Sequence, residues 1–227
     1  MTPNIQNSES SSVRLVFKDV CFNWPGQEKK IINNCSFSVS GNGFWMVVGK
    51  NGCGKSTLFK LIKGILEPTS GEIKSMRKIS LVFQNPDHQI LMPTCRSELI
   101  LNLNTQLSRE EINQKVLSAL DEVGLSGFER RPIHTLSGGQ KQRLAIASSL
   151  ISGSQLLLMD EPTAMLDKYS QKKVLEIIKE VSNKNGRNFT VLWITHRSDE
   201  LEYADKVASM ENGRLSGWQN PINFKVN

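Results

Sequence analysis

The sequence predicts an α/β fold, in which a parallel β-sheet is covered by helices on both faces and interrupted by a helical insert. Short apolar segments of strand length alternate with helical segments after residue 137, which is typical of such a sheet. Apolar residues make up 38% of the chain, enough for a packed core. The length of 227 residues fits one large domain, or a core with a small attached subdomain.

The region before residue 49 has a different pattern. Short apolar segments alternate there with turn signals, Trp-Pro-Gly at 24–26 and Gly-Asn-Gly at 41–43. This pattern predicts an antiparallel β region that leads into a buried strand at 44–48. The polar residues 1–12 have neither the apolar stretch of a secretory signal nor the arginines of a transit peptide. We therefore expect a disordered tail there.

The middle of the chain predicts first a helix at 57–65 and a strand at 79–83, and then a mainly helical subdomain at about 90–135. Ser108 and Glu111 have the spacing of a capping box, and Gly124 supplies a stop signal. Between them, one helix face is apolar and consists of Ile112, Val116, Ala119, Leu120 and Val123.

The last third of the chain returns to alternating helices and strands. Helices are predicted at 143–150 and 170–181, and apolar strands at 156–159 and 191–195. The Asn-Gly pair at 212–213 then predicts a hairpin turn. The resulting domain would span 13–220, followed by a C-terminal tail at 221–227.

Charge and cysteine content favour some function classes over others. The net charge is +6, but no block of five or more basic residues occurs, so no nucleic-acid partner is expected. Apolar runs stay below the roughly eighteen residues that a membrane span needs. The four cysteines are far apart and form no Cys-x-x-Cys pair, so a cytoplasmic, reducing location fits.

A glycine-rich segment follows the predicted strand at 44–48 and precedes a helix. Gly49, Gly52 and Gly54 let backbone N–H groups turn toward phosphate oxygens at the positive end of that helix. Lys55 would neutralise the β- and γ-phosphates, and Ser56 would place its hydroxyl on Mg²⁺. This P-loop predicts binding of a nucleoside triphosphate. Its candidate binding residues are Gly49, Lys50, Asn51, Gly52, Cys53, Gly54, Lys55, Ser56 and Thr57.

Two carboxylates follow the apolar strand at 156–159. The carboxyl ends of parallel strands gather ligand chemistry, so Asp160 and Glu161 are expected beside the P-loop. Asp160 is the candidate Mg²⁺ partner, through water, because Mg²⁺ keeps part of its hydration shell. Glu161 is the candidate general base that polarises the attacking water.

Two further polar side chains end apolar strands and are therefore expected at the same edge. His196 is predicted to bond the γ-phosphate and to hold the geometry that activates the water. Gln84 is predicted to touch Mg²⁺ or the attacking water. In isolation, a solvated loop glutamine is the simpler interpretation of Gln84.

A second candidate anion cradle begins at Ser137, where a serine hydroxyl and glycine N–H groups open a helix. It comes after the helical insert, far along the chain from Lys55. One small domain hardly needs two phosphate cradles for one nucleotide. We therefore expect this cradle, formed by Ser137, Gly138, Gly139 and Gln140, to serve a nucleotide bound to another copy.

Together these motifs resemble the ATP-binding subunits of ABC transporters, over about residues 14–216. Walker A, Gln-loop, LSGGQ signature, Walker B, D-loop and His-switch positions all occur in the family's order. The resemblance implies a RecA-like P-loop NTPase core, an antiparallel β subdomain and an α-helical subdomain. It also implies a head-to-tail dimer that encloses two ATP molecules, formed either with a second copy of this chain or with a related cassette. It also implies that Asp167 crosses the dimer interface. Trp24 stands where the family has a tyrosine stacked on adenine, and tryptophan preserves such stacking.

The Gln-loop is also similar to that of energy-coupling-factor (ECF) and cobalt-type uptake ATPases, since residues 83–89 read Phe-Gln-Asn-Pro-Asp-His-Gln. This similarity implies import of a vitamin or metal ion through integral membrane proteins, with the chain peripheral on the inner face of the cell membrane. The alternative is a soluble ABC ATPase that acts on an iron–sulfur assembly scaffold or on nucleic acid. The chain has one cassette and no heptad array, which disfavours DNA-repair and translation members.

Overall fold

The computed structural model describes residues 13–76, 78–103, 106–184 and 189–224. The predicted tail at 1–12 and residues 225–227 lie outside these ranges. Within them, the strands are β1 (Val13–Asn23), β2 (Lys30–Ser40), β3 (Gly43–Val48), β4 (Ser70–Ser75), β5 (Ile79–Val82), β6 (Leu156–Asp160), β7 (Thr190–Thr195), β8 (Lys206–Glu211) and β9 (Arg214–Leu215). The α-helices are α1 (Lys55–Ile62), α2 (Cys95–Leu101), α3 (Arg109–Glu122), α4 (Gly138–Ile151) and α5 (Lys168–Asn183).

The N-terminal strands form the predicted antiparallel β region. β1 pairs with β2 on one side and with β4 on the other, and Phe17 lies opposite both Phe37 and Ile73. The rings of Phe17 and Phe37 stack at 4.7 Å. Strand β4 was not predicted, because its sequence Ser-Gly-Glu-Ile-Lys-Ser has a single apolar residue and is largely exposed.

The second sheet has six strands in the order β5-β6-β7-β3-β8-β9 and confirms the predicted parallel core. Strands β5 to β8 pair in parallel, and β9 turns back against β8. Asn212 and Gly213 form that turn with φ angles of 48° and 73°, which confirms the hairpin. Strand β3 lies between β7 and β8, so the loop that follows β3 emerges near the middle of the sheet edge.

Successive residues of β3 point to opposite faces of the sheet and divide the core in two. Phe44 and Met46 pack with Trp193 and with residues of α3, α4 and α5. Trp45 and Val47 pack against α1 and against β1 and β2. All six residues of β3 are buried, as expected for a strand covered on both faces.

The segment around the predicted insert contains α2, α3 and a 3₁₀ turn at Ile133–Thr135. The capping box of α3 is confirmed: Ser108 Oγ accepts from the Glu111 N–H at 3.2 Å, and Glu111 Oε2 accepts from the Ser108 N–H at 2.8 Å. Helix α2 was not predicted. It is short and starts at its own capping box, in which Thr94 and Ser97 each bond the other's backbone N–H.

Some predicted helix boundaries were wrong. Helix α1 starts at Lys55 and ends at Ile62, rather than spanning 57–65, and Gly64 follows with a φ of 74°. A residue in that left-handed conformation ends a helix. Helix α4 spans Gly138–Ile151 and so includes the predicted 143–150, and its capping box at Ser137 confirms that the signature opens a helix.

The described residues contain no helix that is both long enough and apolar enough to cross a membrane. At the C-terminus, Pro221–Asn223 form a 3₁₀ turn.

Candidate active site

The P-loop joins β3 to α1, and its glycines meet specific steric demands. A side chain at Gly49 would place Cβ 2.5 Å from the Met210 carbonyl oxygen and 2.8 Å from Cys53 Sγ. Gly54 has a φ of 107°, which side chains disfavour, and its Cβ would lie 3.0 Å from the Ile31 carbonyl oxygen. Gly54 is the N-cap of α1 and offers no side chain to bond the first helical N–H groups. Those groups therefore suit an external anion.

Lys55 lies under this loop with 6% of its surface exposed. Its Nζ donates to the carbonyl oxygens of Gly49 at 2.7 Å and Lys50 at 3.1 Å, and lies 3.9 Å from Glu161 Oε1. The ammonium thus ties the two ends of the loop together. A phosphate is the ligand that would best match a buried ammonium next to free N–H groups.

Asp160 ends β6 and accepts a hydrogen bond from the Ser56 hydroxyl. Burial raises the pKa of the Asp160 carboxyl, while the Ser56 hydrogen bond acts in the opposite direction. A hydroxyl and a carboxylate in contact beside a phosphate cradle are the oxygen ligands that Mg²⁺ prefers. The donor set at Ser56 and Asp160 therefore fits a magnesium ion.

Glu161 is held in an unusual backbone conformation. Its φ is 46°, in the left-handed region, which costs a non-glycine residue roughly 1 kcal/mol or more. Its N–H donates to the Ile194 carbonyl at 3.1 Å, which connects the turn to β7. This turn brings Glu161 Oε2 to within 3.2 Å of His196 Nδ1.

A cavity of about 520 Å³ collects most of the predicted site residues. Trp24 lies in its wall and packs edge-to-face on Phe22 at 5.2 Å. Gln84, an exposed loop residue two positions after β5, also lies in the wall. The predicted residues that line this cavity are Trp24, Asn51, Gly52, Gly54, Lys55, Ser56, Thr57, Gln84, Asp160 and Glu161.

The other predicted P-loop residues and His196 line an adjoining cavity of about 850 Å³, whose walls also include Asn51 and Gly52. It lies across the P-loop, between the loop after β7 and the β8–β9 hairpin. The predicted residues found there are Gly49, Lys50, Cys53 and His196. His196 therefore bridges the two cavities through its contact with Glu161.

The second predicted cradle lies at the start of α4, and none of its residues is among the described residues that line either cavity. Ser137 Oγ accepts from the Gln140 N–H at 3.3 Å, and Gln140 Oε1 accepts from the Ser137 N–H at 3.0 Å. Ser137 and Gly138 are exposed, whereas Gly139 is buried against Ser170. The structure thus separates the signature from the P-loop of its own chain.

Asp167 is the N-cap of α5 and is exposed. Its carboxylate accepts from the Ser170 N–H at 3.0 Å and from the Ser170 hydroxyl at 2.7 Å, and these bonds lower the pKa of Asp167. Because Ser170 also packs on Gly139, the D-loop and the signature helix share a contact. They therefore form one exposed surface.

Sequence reasoning missed the bonds that join the signature helix to the Gln-loop. Lys141 Nζ pairs with Asp87 Oδ1 at 2.7 Å, and Gln142 Nε2 donates to the Phe83 carbonyl at 3.2 Å. Gln142 is fully buried. No sequence signal indicated this bond, because the burial of Gln142, which makes its amide need a backbone partner, comes from tertiary packing.

These features define a P-loop nucleotide-hydrolysing domain with an additional, outward-facing signature helix. A sequence profile described as "ABC transporter" matches residues 32–164. The chain belongs to the ABC transporter family, as an ATP-binding subunit with ATPase activity.

The chain is similar to three proteins whose names or structures are known. ABC transporter I family member 10 from Arabidopsis thaliana is 41% identical over 92% of this chain and 82% of its own length. The energy-coupling factor transporter ATP-binding protein EcfA of Methanocaldococcus jannaschii is 39% identical over 87% of this chain and 76% of its own length. The structure of cbiO1 from Clostridium perfringens, part of the ABC transporter complex cbiONQ, has a TM-score of 0.84 and 30% identity. That match covers 92% of this chain and 89% of the cbiO1 chain.

Proposed function

We propose that this chain hydrolyses ATP in a head-to-tail dimer with a second ATP-binding cassette, and thereby powers uptake of a vitamin or metal ion through integral membrane proteins. One observation in particular supports the proposed dimer. The P-loop, Asp160, Glu161 and Gln84 meet in one cavity, while the signature helix presents a second anion cradle outside it. The signature therefore suits the nucleotide of another cassette.

Within one chain, the P-loop N–H groups and Lys55 bind the phosphates, and Trp24 supports the adenine by stacking. Ser56 and Asp160 would hold Mg²⁺, which supplies charge neutralisation between the β- and γ-phosphates. The buried Asp160 carboxyl, with its raised pKa, would have its charge compensated by such a cation.

Glu161 and His196 carry out the hydrolytic step. Glu161 accepts the proton of the attacking water, and His196 orients Glu161 through the 3.2 Å contact between Nδ1 and Oε2. His196 would also bond the γ-phosphate. Gln84 lies in the same wall, where its amide would orient the water or hold Mg²⁺. Phosphoryl transfer depends mainly on such positioning and on charge stabilisation.

The signature residues Ser137 to Gln140 would close over the ATP of the partner cassette. The Ser137 hydroxyl accepts the Gln140 N–H and keeps its own hydrogen for a phosphate oxygen. Asp167 lies on the same exposed surface and would cross the interface. Both motifs then act on a nucleotide that their own chain does not bind.

The Gln-loop would transmit closure to the membrane proteins. It is tied to the signature helix by the Lys141–Asp87 pair, and it ends near Leu91, which is 75% exposed. Relatives named for energy-coupling factor transporters and for the cbiONQ complex support ECF-type uptake. We place the chain on the inner face of the cell membrane, in contact with integral membrane proteins.

The Glu161→Gln variant tests the hydrolytic assignment. It keeps the size of the side chain but removes its basicity, so hydrolysis should fall by about a hundredfold or more. ATP should still bind and should now hold two chains together, which light scattering would detect. The matched control Glu72→Gln, at an exposed residue of β4, should behave as wild type. Wild-type turnover in Glu161→Gln would contradict the assignment of Glu161 as general base.

Purification of the tagged chain from membranes tests the transport assignment. Integral membrane proteins should accompany it, and the Leu91→Asp variant should lose them while keeping its ATP affinity. Recovery with an iron–sulfur scaffold or with nucleic acid instead would contradict uptake.

A further inference from the structure

A buried glutamate lies immediately behind the active site and has no role in the mechanism above. Glu200 belongs to the 3₁₀ turn Ser198–Tyr203 and is 1% exposed. Its Oε1 accepts from the Thr163 hydroxyl, and its Oε2 accepts from Trp193 Nε1 at 3.0 Å. Arg197 Nε lies 3.6 Å from Oε1. One carboxylate therefore joins two hydrogen-bond donors and one ion-pair partner.

These partners belong to the two segments that carry the hydrolytic residues. Thr163 comes two residues after Glu161, and Trp193 and Arg197 lie on either side of His196. Thr163 and Trp193 are 1% and 0% exposed, so water does not compete for their bonds to Glu200. The buried carboxylate thus connects the turn at Glu161 to the segment that carries His196.

The backbone around Glu161 shows why such a connection matters. With its φ of 46°, Glu161 adopts a conformation that persists only where surrounding contacts hold it. Its N–H bonds Ile194 and its carbonyl accepts from the Ala164 N–H at 3.1 Å. The bond from Thr163 to Glu200 adds a side-chain anchor just beyond the turn.

We propose that Glu200 is a positioning residue for ATP hydrolysis, which keeps the Glu161 carboxylate in register with His196 by holding Thr163 and the His196 loop together. The inference rests on the hydrolytic roles proposed for Glu161 and His196. Glu200 itself touches neither ATP nor the attacking water.

Glu200→Gln keeps the size of the side chain but changes the hydrogen bonds that it can accept. Its carbonyl oxygen can accept one of the two buried hydrogen bonds, but its NH₂ group then faces the other donor. The turn and the loop should shift relative to each other. A shift of about 1 Å at reacting groups lowers rates by roughly a hundredfold.

The experiment measures kcat and ATP affinity for Glu200→Gln, Thr163→Val and Thr163→Ser. Thr163→Val removes the hydroxyl at nearly constant shape, whereas Thr163→Ser keeps it. We expect Glu200→Gln and Thr163→Val to lower kcat by about tenfold to a hundredfold, with ATP affinity within twofold of wild type. Thr163→Ser should keep wild-type kcat. Because Thr163→Ser keeps the hydroxyl that Thr163→Val removes, these two variants also answer the question if Glu200→Gln does not fold.

A double-variant comparison then tests whether Glu200 acts through Glu161. In a Glu161→Gln background, adding Glu200→Gln should cause little further loss of kcat, because the group it positions is already inactive. Wild-type kcat in folded Glu200→Gln and Thr163→Val, together with slow Glu161→Gln, would overturn the role of Glu200 alone. Fast turnover in Glu161→Gln itself would instead overturn the proposed hydrolytic mechanism.

Discussion

Two helices in this chain begin at a candidate phosphate cradle, and they begin differently. Helix α1 starts after Gly54, which has no side chain to bond the first N–H groups. Helix α4 starts after Ser137, in a complete capping box with Gln140. Lys55 lies under the first helix start with its charge buried, whereas Ser137 and Gly138 face outward.

This difference indicates that the two cradles bind phosphate under different conditions. The first N–H groups of an uncapped helix have no partner within the chain. Inside a cavity they therefore need an anion that is bound in that same cavity. A capped start is satisfied before any partner arrives, so the isolated chain can expose it at little cost. On the proposed assignment, the P-loop is a binding site by itself, and the signature becomes one only against a second cassette.

Removing Lys55 should have the largest effect on this comparison. Lys55→Ala removes the buried ammonium that donates to the Gly49 and Lys50 carbonyl oxygens, together with its bond to phosphate. ATP affinity of the isolated chain should fall at least about a hundredfold, or ~2.8 kcal/mol. Titration calorimetry measures this. Gly138→Asp, at the signature, should leave the affinity of the isolated chain unchanged, and a comparable loss there would break the proposed division.

The adjacent glycines Gly138 and Gly139 should differ in their tolerance of alanine. At Gly139 a Cβ would lie 2.5 Å from Ser170 Oγ and 2.7 Å from Ser170 Cβ, so α4 and α5 must separate. At Gly138 the nearest atom is Leu166 Cδ2 at 3.8 Å. Gly139→Ala should cost about 1–3 kcal/mol of unfolding free energy, and Gly138→Ala should cost far less. Equal denaturation midpoints would show that the Gly139–Ser170 contact is unimportant.

Replacing the two cap serines should have the smallest effect on stability. It should also show whether the cap of α4, unlike that of α3, contributes to ATP hydrolysis. Ser137 and Ser108 each cap a 14-residue helix with a complete capping box. Ser137→Ala and Ser108→Ala should each cost ~1 kcal/mol, which lowers Tm by ~2–4 °C. At saturating ATP, only Ser137→Ala should also lower hydrolysis. If both variants hydrolyse ATP equally, the Ser137 hydroxyl acts as a cap and nothing more.

Sequence patterns predicted the P-loop, the strand ends and the capping box of α3, because these depend on local spacing. The polar residues Gln84, Asp160 and Glu161 were correctly expected at one edge, since parallel strands align their carboxyl ends. Strand β4 escaped prediction because its pairing with β1 comes from tertiary contacts rather than from its own largely exposed side chains.

The contacts that connect the segments around the site were also not predicted. Glu200, Gln142 and Asp87 find partners distant in sequence, and neither periodicity nor a local motif indicates such pairs. The left-handed backbone at Glu161 is similarly invisible, because residue type alone favours another conformation there.

In the proposed dimer, each site joins the P-loop of one cassette to the signature of another. This arrangement can be tested by mixing two inactive chains, Lys55→Ala and Gly138→Asp. Gly138 is exposed and has room for a Cβ, so the aspartate should fold normally while repelling phosphate.

In a dimer of two copies of this chain, each variant alone has a lesion in every site. A mixed dimer places both lesions in one site and leaves the other intact, so mixing should restore ATP hydrolysis to at most about a quarter of the wild-type number of sites. If each chain instead forms a complete site by itself, no intact site exists in the mixture. Hydrolysis that stays at the level of the separate variants would contradict the shared site.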